Sequence, residues 1–204
     1  MKGKLAFLDR WYEGTKALAR HKHATPILAF IAFIESIFFP IPTAVMAAPM
    51  MQADHSKIWR IAFVSAIFSI LGGLVGYALG WFAYESFALP LLEEIGKGDS
   101  VKKFENWVNA VPDEYKGLAV LGAGMTPFPY KVITILSGSM KISLPIFIGA
   151  SVIGRFGQFF LIGFIIKKLG NQAETFMKEK FGLFSIVAFV GLAILYVLYK
   201  QLTH

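Results

Sequence analysis

The chain has 204 residues, of which 56% are hydrophobic, with a mean hydropathy of +0.60 and no cysteine. This apolar content is far above that of a soluble domain of the same length and indicates an integral membrane protein, while the lack of cysteine excludes disulfides and thiolate metal sites. The net charge of +7 would suggest a nucleic-acid partner in a soluble protein, but with this hydropathy it indicates basic residues at an anionic membrane face and no nucleic-acid binding.

Residues 1–24 are the first predicted element, an amphipathic helix that lies in the membrane interface. This stretch carries six lysines and arginines against two acidic residues and lacks the apolar core of a cleavable signal peptide. Leu5, Leu8 and Tyr12 share one helical face, and the basic side chains lie mostly away from it. A cytoplasmic soluble helix is the alternative.

Five apolar segments follow, each near the ~20 residues that cross ~30 Å of hydrocarbon. They are residues 27–51, 59–84, 118–140, 143–166 and 182–199. The first contains Pro40 and Pro42, and the third contains Pro127 and Pro129. Two prolines at this spacing end a helix, because each removes a backbone hydrogen bond and disfavours helix in the residue before it. Because lipid cannot satisfy the freed carbonyls, the two breaks are expected to face each other inside the protein.

The distribution of charge predicts that these two broken segments are re-entrant, entering and leaving the membrane on the same side. Residues 1–24, and residues 167–180 with four basic and two acidic residues, are expected in the cytoplasm. Residues 85–117 carry seven acidic and four basic residues and are predicted to form an external loop. Both placements hold when residues 27–51 and 118–140 are re-entrant and residues 59–84, 143–166 and 182–199 span the membrane. A five-span topology differs in placing the acidic loop inside.

An internal repeat agrees with the re-entrant topology. Moving the sequence by 87 residues superposes Pro40 on Pro127, Pro42 on Pro129 and Gly76 on Gly163. Each unit is a broken segment followed by a full span, and the predicted topology inverts one unit relative to the other. Inverted units whose discontinuous helices meet near the midplane are typical of secondary transporters. Chance agreement of prolines and glycines is the alternative.

Gly72, Gly76 and Gly80 recur at every fourth residue in the second apolar segment. This spacing places a groove of small residues along one helical face, where another backbone can approach closely. Packing within the chain is the expected use of the groove. A dimer interface is the alternative, so the groove leaves a homo-oligomer as an open possibility.

Three ionisable side chains lie inside apolar segments: Glu35, Lys131 and Arg155. A charge at membrane depth costs ~3 kcal/mol on insertion scales and usually faces a cavity or a partner. If the two breaks face each other, the three groups can converge, with Glu35 exchanging a proton and Lys131 and Arg155 attracting an anionic headgroup or phosphate. The alternative is a structural Glu35–Arg155 ion pair, with Lys131 reaching the interface.

No motif for enzymatic chemistry appears in the chain. It has no nucleophile elbow, phosphate-binding loop or paired carboxylates, which argues against a hydrolase or transferase. His21 and His23 have no acidic or cysteine companion nearby, so no metal site is predicted. We therefore expect a protein that is not an enzyme and needs no cofactor.

Four stretches of the chain carry a family resemblance: FIESIFFPIPTAVMAAPM, GGLVGYALGWF, TPFPYKVITILSGSMKI and GRFGQFF. In this order they resemble the DedA family, also called the VTT or SNARE-associated Golgi protein family, and most closely its YqaA-like branch. The resemblance implies a bacterial inner-membrane protein with two opposed re-entrant helices, linked to membrane homeostasis and to moving lipids between leaflets. Some members are implicated in returning undecaprenyl phosphate to the cytoplasmic face with the help of the proton gradient, and eukaryotic relatives scramble phospholipids.

The resemblance also assigns expected roles to individual residues. Glu35 matches the membrane-embedded glutamate of the family, Arg155 matches the Gly-Arg of the YqaA-like pattern, and Lys131 falls near a position where other members use arginine. The chain departs from the family pattern at four other positions. Thr43 and Ala44 replace an acidic residue after the first break, and Thr126 and Gln158 stand where other members have basic residues.

The sequence thus predicts an all-α integral membrane protein with an inverted repeat of two re-entrant helices, an interfacial N-terminal helix and a C-terminal span. We expect a lipid transporter of the flippase or scramblase type in a bacterial inner membrane, with the N-terminus in the cytoplasm. Its partners would be a polyprenyl phosphate or a phospholipid, and coupling to protons is left open. The alternatives are a proton-coupled antiporter for small cations or drugs and a structural or assembly factor.

Overall fold

The computed structural model describes residues 23–37, 43–94, 109–126 and 130–170, with isolated positions between 96 and 106 and between 187 and 194. The residues in the four continuous ranges form seven α-helices. These are α1 (Ala24–Glu35), α2 (Thr43–Ala53), α3 (Ile58–Ala83), α4 (Leu89–Glu94), α5 (Asp113–Met125), α6 (Tyr130–Ser139) and α7 (Leu144–Leu169). A 3-10 turn, His55–Lys57, precedes α3, and a π-helical turn, Tyr84–Ala88, follows it.

The two segments that contain proline pairs are interrupted helices. The first apolar segment is divided into α1 and α2, and the third into α5 and α6. Pro40, Pro42, Pro127 and Pro129 themselves lie outside the described residues, as do nearly all of the predicted interfacial helix 1–24 and the predicted span 182–199.

The two long helices lie close to their predicted bounds. By length and composition, α7 and the continuous helical stretch that contains α3 are long and apolar enough to cross a membrane. Helix α7 has Pro145 in its first turn, where a missing N–H removes no helical hydrogen bond. Gly170 follows its last residue with a φ of 52°, which suits glycine. Helical structure also continues from α3 to Glu94, and α5 begins at Asp113, both within the predicted loop 85–117, because backbone hydrogen bonding can outlast the apolar stretch.

Helices α3 and α7 run antiparallel along their whole length of about 39 Å. The rings of Trp59 and Phe160 stack with centroids 5.5 Å apart near one end of the pair. The rings of Tyr77 and Phe147 lie 4.9 Å apart near the other end. The beginning of α3 and the end of α7 therefore share one end of the bundle, which we call the basic end because it carries Lys57, Arg60, Lys167 and Lys168.

The second hairpin, α5 and α6, starts and finishes at the end of the bundle opposite to the basic end. Helix α5 begins there, with Gly117 beside Ile146, and reaches the middle of α7, where Gly124 packs on Gly154. The returning helix α6 finishes with the Ser139 hydroxyl donating to the carbonyl of Gly80, 3.1 Å away. Beyond it, the Lys141 ammonium pairs with Glu85 at 2.7 Å.

The first hairpin, α1 and α2, has both of its outer ends at the basic end. Ala24 and Leu28 of α1 share one apolar cluster with Met51 of α2 and Ile58 of α3. Its inner ends meet near the middle of the bundle, where the Thr43 hydroxyl donates to a carboxylate oxygen of Glu35 at 2.9 Å.

The glycine groove of α3 is filled by the two hairpins of the same chain. A Cβ at Gly72 would overlap the backbone oxygen of Phe33 in α1, and a Cβ at Gly80 would overlap that of Ile135 in α6. Between them, a Cβ at Gly76 would collide with Thr134, whose hydroxyl donates to the Ser36 carbonyl at 3.3 Å. The groove therefore brings the two hairpins into contact with each other.

The bundle has an apolar exterior and a polar layer inside. One buried apolar cluster lies at the basic end and another at the opposite end. Buried hydroxyl, amide and charged groups lie between them. Large apolar side chains point outward instead, among them Phe30, Phe63, Leu79, Ile153 and Phe164, which are 47 to 64% exposed. An exterior of this kind suits contact with lipid tails.

We predict that Gly80→Ala destabilises the fold by about 1–3 kcal/mol, because the added methyl group must displace the backbone of α6. Thermal unfolding in detergent, followed by the loss of monodisperse protein, measures this effect. Gly149→Ala is the matched control, since a Cβ at this helical glycine meets nothing within 4 Å. An equal effect of both substitutions would contradict the packing role of the groove.

Candidate functional site

Polar side chains from four helices and the first break meet midway along the bundle. Glu35 ends α1, Ser36 follows it, and Thr43 begins α2, while the other members lie near the middle of the long helices. We call this group the central polar cluster: Glu35, Ser36, Thr43, Ser69, Arg155 and Gln158, all of them buried. Its place between two apolar clusters means that its charges must be compensated within the protein.

Arg155 connects the members of the cluster through three of its N–H groups. Its Nε donates to the Ser69 hydroxyl at 2.7 Å, and one terminal nitrogen donates to the side-chain oxygen of Gln158 at 2.7 Å. The other terminal nitrogen lies 3.4 Å from a carboxylate oxygen of Glu35. Charge-assisted N–H···O bonds are usually 2.7–2.9 Å long, so the ion pair is the loosest of the three contacts.

Two aromatic rings pack against the Arg155 guanidinium. Its central carbon lies 4.6 Å from the centroid of the Tyr130 ring and 4.9 Å from that of Phe159. Cation–π attraction and packing together hold the plane of the guanidinium. Arg155 is only 4% exposed, so its positive charge is kept in the bundle by these rings and by its hydrogen-bond acceptors.

The neutral members of the cluster link it to both helix breaks. Thr43 holds Glu35 from the far side of the first break, and the Ser36 hydroxyl lies 2.7 Å from that of Ser69. At the second break, the Gln158 amide nitrogen donates to the backbone oxygen of Thr126 at 3.2 Å. The contacts of Arg155 therefore depend on the positions of both hairpins.

Buried hydroxyls without an acceptor or donor continue the polar layer beside Arg155. Tyr130 and Ser151 are fully buried and their hydroxyls lie close to each other, but neither makes a hydrogen bond of good geometry among the described residues. Ser151 precedes Arg155 by one helical turn, and a Cβ on Gly73 would come within 3.0 Å of the Tyr130 oxygen. Ser65 and Ser137 are orphaned in the same way. Such groups cost about 1–3 kcal/mol each when unsatisfied, so they favour a ligand or water that supplies partners.

The structure brings two of the three predicted charged residues into contact. Glu35 and Arg155 form the ion pair of the cluster, whereas Lys131 lies half-buried in the first turn of α6, next to Tyr130. A role of Lys131 as a headgroup anchor stays a prediction.

The other members of the cluster were not predicted as site residues from the sequence. Thr43, Thr126 and Gln158 drew notice only as departures from a family pattern, and each now proves to contact the cluster or a member of it. Ser69 and Tyr130 carried no signal, since serine and tyrosine are ordinary residues in membrane helices.

Comparison with known proteins gives one family and several relatives. The VTT domain matches residues 39–168 of the chain. A protein of Haemophilus influenzae described as uncharacterized is 33% identical over 151 residues, which cover 74% of this chain and 76% of the relative. A protein of Histophilus somni, also described as uncharacterized, is 29% identical over 168 residues, or 82% of this chain and 85% of its own. No solved structure matches the chain.

We predict that Arg155→Gln lowers the stability by about 3–5 kcal/mol, because it leaves the Glu35 carboxylate buried without its cation. The double variant Glu35→Gln, Arg155→Gln should recover part of this loss, since it buries no charge. A double-mutant cycle of thermal unfolding in detergent measures the coupling.

Lys57→Gln is the control for this cycle, because it removes only an exposed ion pair with Asp54 and should leave the stability nearly unchanged. Strictly additive effects of the two substitutions in the cluster would show that the 3.4 Å contact carries no coupling.

Proposed function

Because the chain belongs to the VTT domain family of membrane proteins, we propose that it moves a lipid with an anionic headgroup between the leaflets of a membrane. The observation that carries the proposal is the buried Glu35–Arg155 pair at the middle of a bundle with an apolar exterior. Ionisable residues at membrane depth usually mark a substrate or ion pathway.

The mechanism is competition between two anions for one cation. Of the three contacts that Arg155 makes, the one with Glu35 is the longest, whereas the hydrogen bonds to Ser69 and Gln158 are short. When Glu35 accepts a proton it no longer pairs with the guanidinium, and a phosphate group can take its place. Ser69 and Gln158 keep Arg155 in position during the exchange, so that the cation need not be moved into water.

Both hairpins support the re-entrant, inverted arrangement that such transport needs. The first hairpin has its outer ends at the basic end of the bundle and the second at the opposite end, while their inner ends meet at the cluster. Discontinuous helices that meet near the midplane from opposite sides are used for substrate binding in secondary transporters. Movement of one hairpin would open the cluster to one leaflet, and movement of the other would open it to the opposite leaflet.

The charges at the two ends support an orientation. Lys57, Arg60, Lys167 and Lys168 lie at the basic end, and the Lys167 ammonium lies 5.6 Å from the ring of Trp59. By the positive-inside rule this end faces the cytoplasm, which leaves Glu85 and the acidic stretch 85–117 outside. A bacterial inner membrane and the YqaA-like branch of the family are parts of the same proposal.

A proton-coupled antiporter for small cations or drugs is the second candidate, since a buried carboxylate such as Glu35 suits cation exchange as well. The two candidate functions differ in whether they need the basic side chains. Antiport needs Glu35 and has no use for headgroup anchors, so Lys131→Ala should spare it and should slow lipid movement.

We predict that Arg155→Lys slows lipid movement about tenfold or more, since loss of the planar fork removes hydrogen bonds to the phosphate worth roughly 1.5–3 kcal/mol. Glu35→Gln should also slow it, because no carboxylate then remains to displace the phosphate from Arg155. Vesicles with purified full-length protein and a tail-labelled anionic phospholipid measure the rate as loss of fluorescence to an external quencher.

Lys57→Gln serves as the control, because this exposed residue lies away from the cluster and its variant should move lipid as the wild type does. The proposal fails if wild-type protein moves the labelled lipid no faster than protein-free vesicles, or if folded Arg155→Lys and Glu35→Gln proteins behave as the wild type.

A further inference from the structure

Resting on the proposed function, we infer that the central polar cluster selects a headgroup with one negative charge, a phosphodiester, over a phosphate monoester that carries nearly two. The charges buried around Arg155 and the neutral hydrogen-bond donors beside it favour this selectivity.

The cluster holds one buried charge of each sign. Among the described residues, Glu35 and Arg155 are the buried charged side chains, at 8% and 4% exposure. The other groups that contact them are Ser69, Thr43 and Gln158, all neutral at every pH in question. The buried pair is therefore electrically neutral as it stands.

The other charged groups on the surrounding helices lie away from this layer. Helices α1 and α2 carry no charged residue besides Glu35, and those of α3 and α7 other than Arg155 lie at the basic end. Those of α5 lie in its first turn, at the opposite end. Lys131, in the first turn of α6, is half-buried, so it can help to attract a headgroup but is not one of the buried charges.

Exchange of the carboxylate for a monoanion conserves this neutrality. When protonated Glu35 gives up Arg155 and a phosphodiester takes its place, the bundle again holds one negative and one positive charge. A dianionic monoester would leave one negative charge in excess in an apolar interior, where an unpaired ion is strongly disfavoured.

The orphan hydroxyls fit the oxygens of a phosphodiester. Tyr130 packs on the guanidinium of Arg155 and Ser151 lies one turn before it, and their neighbouring hydroxyls make no hydrogen bond of good geometry among the described residues. A phosphodiester presents two terminal oxygens with several acceptor positions. Hydroxyls add hydrogen bonds to these oxygens without adding positive charge, as a site for a single negative charge requires.

A matched pair of lipids tests the selection. Full-length protein in phosphatidylcholine vesicles is given either phosphatidylglycerol or phosphatidic acid with the same labelled acyl chain, and rates from protein-free vesicles are subtracted. Because the second ionisation of a phosphate monoester lies near about pH 6 in water and higher at a membrane surface, phosphatidic acid carries nearly two charges at about pH 9 and about one at about pH 5. We expect phosphatidylglycerol to move about tenfold faster at the higher pH and the ratio to approach one at the lower pH.

The ratio of the two movement rates isolates the effect of the lipid's charge, since both lipids use the same Glu35 and Arg155. A ratio that stays constant with pH, or faster movement of phosphatidic acid at the higher pH, would overturn the selection and leave the proposed function standing. Failure to move either lipid would instead overturn the proposed function, and the selection with it.

Gln158→Arg tests the charge count from the side of the protein. This residue contacts both Arg155 and the second break, so an added guanidinium there supplies a second buried cation. We expect the preference to shift toward phosphatidic acid by about tenfold at the higher pH. Gln158→Met is the control, because it alters the same contacts without adding charge and should not shift the preference. If Gln158→Arg does not fold, the wild-type ratio decides by itself.

Discussion

The burial of one guanidinium at the middle of an apolar bundle is the constraint that organises this structure. An unpaired cation there is strongly disfavoured, so Arg155 requires acceptors from every direction. Ser69 supplies one from α3, Gln158 one from its own helix and Glu35 one from the end of α1. Two aromatic rings cover it as well. Glu35 lies at the first helix break, and Gln158 contacts the backbone at the second. Compensation of the Arg155 charge therefore constrains the positions of both hairpins.

Close approach of backbones makes this compensation feasible. The groove at Gly72 and Gly76 lets the end of α1 reach α3, and the crossing of Gly124 on Gly154 brings the end of α5 to α7. Larger residues at these positions would hold the helices apart and would leave the carboxylate and the amide beyond hydrogen-bonding distance of Arg155. Packing at glycine and electrostatics at arginine are thus two parts of one arrangement, and a ligand that competes for Arg155 would act on both hairpins at once.

The sequence allowed prediction of the apolar segments, of the two interrupted helices and of the ionisable residues worth attention. Glu35 and Arg155 stand out because charge is rare within apolar stretches, and proline pairs mark helix ends by their covalent structure. Ser69, Tyr130 and Ser151 could not be found in this way, since a hydroxyl is inexpensive in a membrane helix and is common there. The helical extension to Glu94 was also missed, because hydropathy reports the membrane boundary and not the end of backbone hydrogen bonding.

By itself, the sequence determined that this chain is a membrane protein with two broken segments, because composition and proline act locally and need no partner. Only the tertiary structure decided which groups surround Arg155. The pairing of Glu35 with Arg155 joins residues 120 positions apart, and the contact of Thr134 with Ser36 joins residues 98 apart. Such contacts depend on the crossing and register of the helices, which glycine packing sets in three dimensions and which no local pattern of residues records.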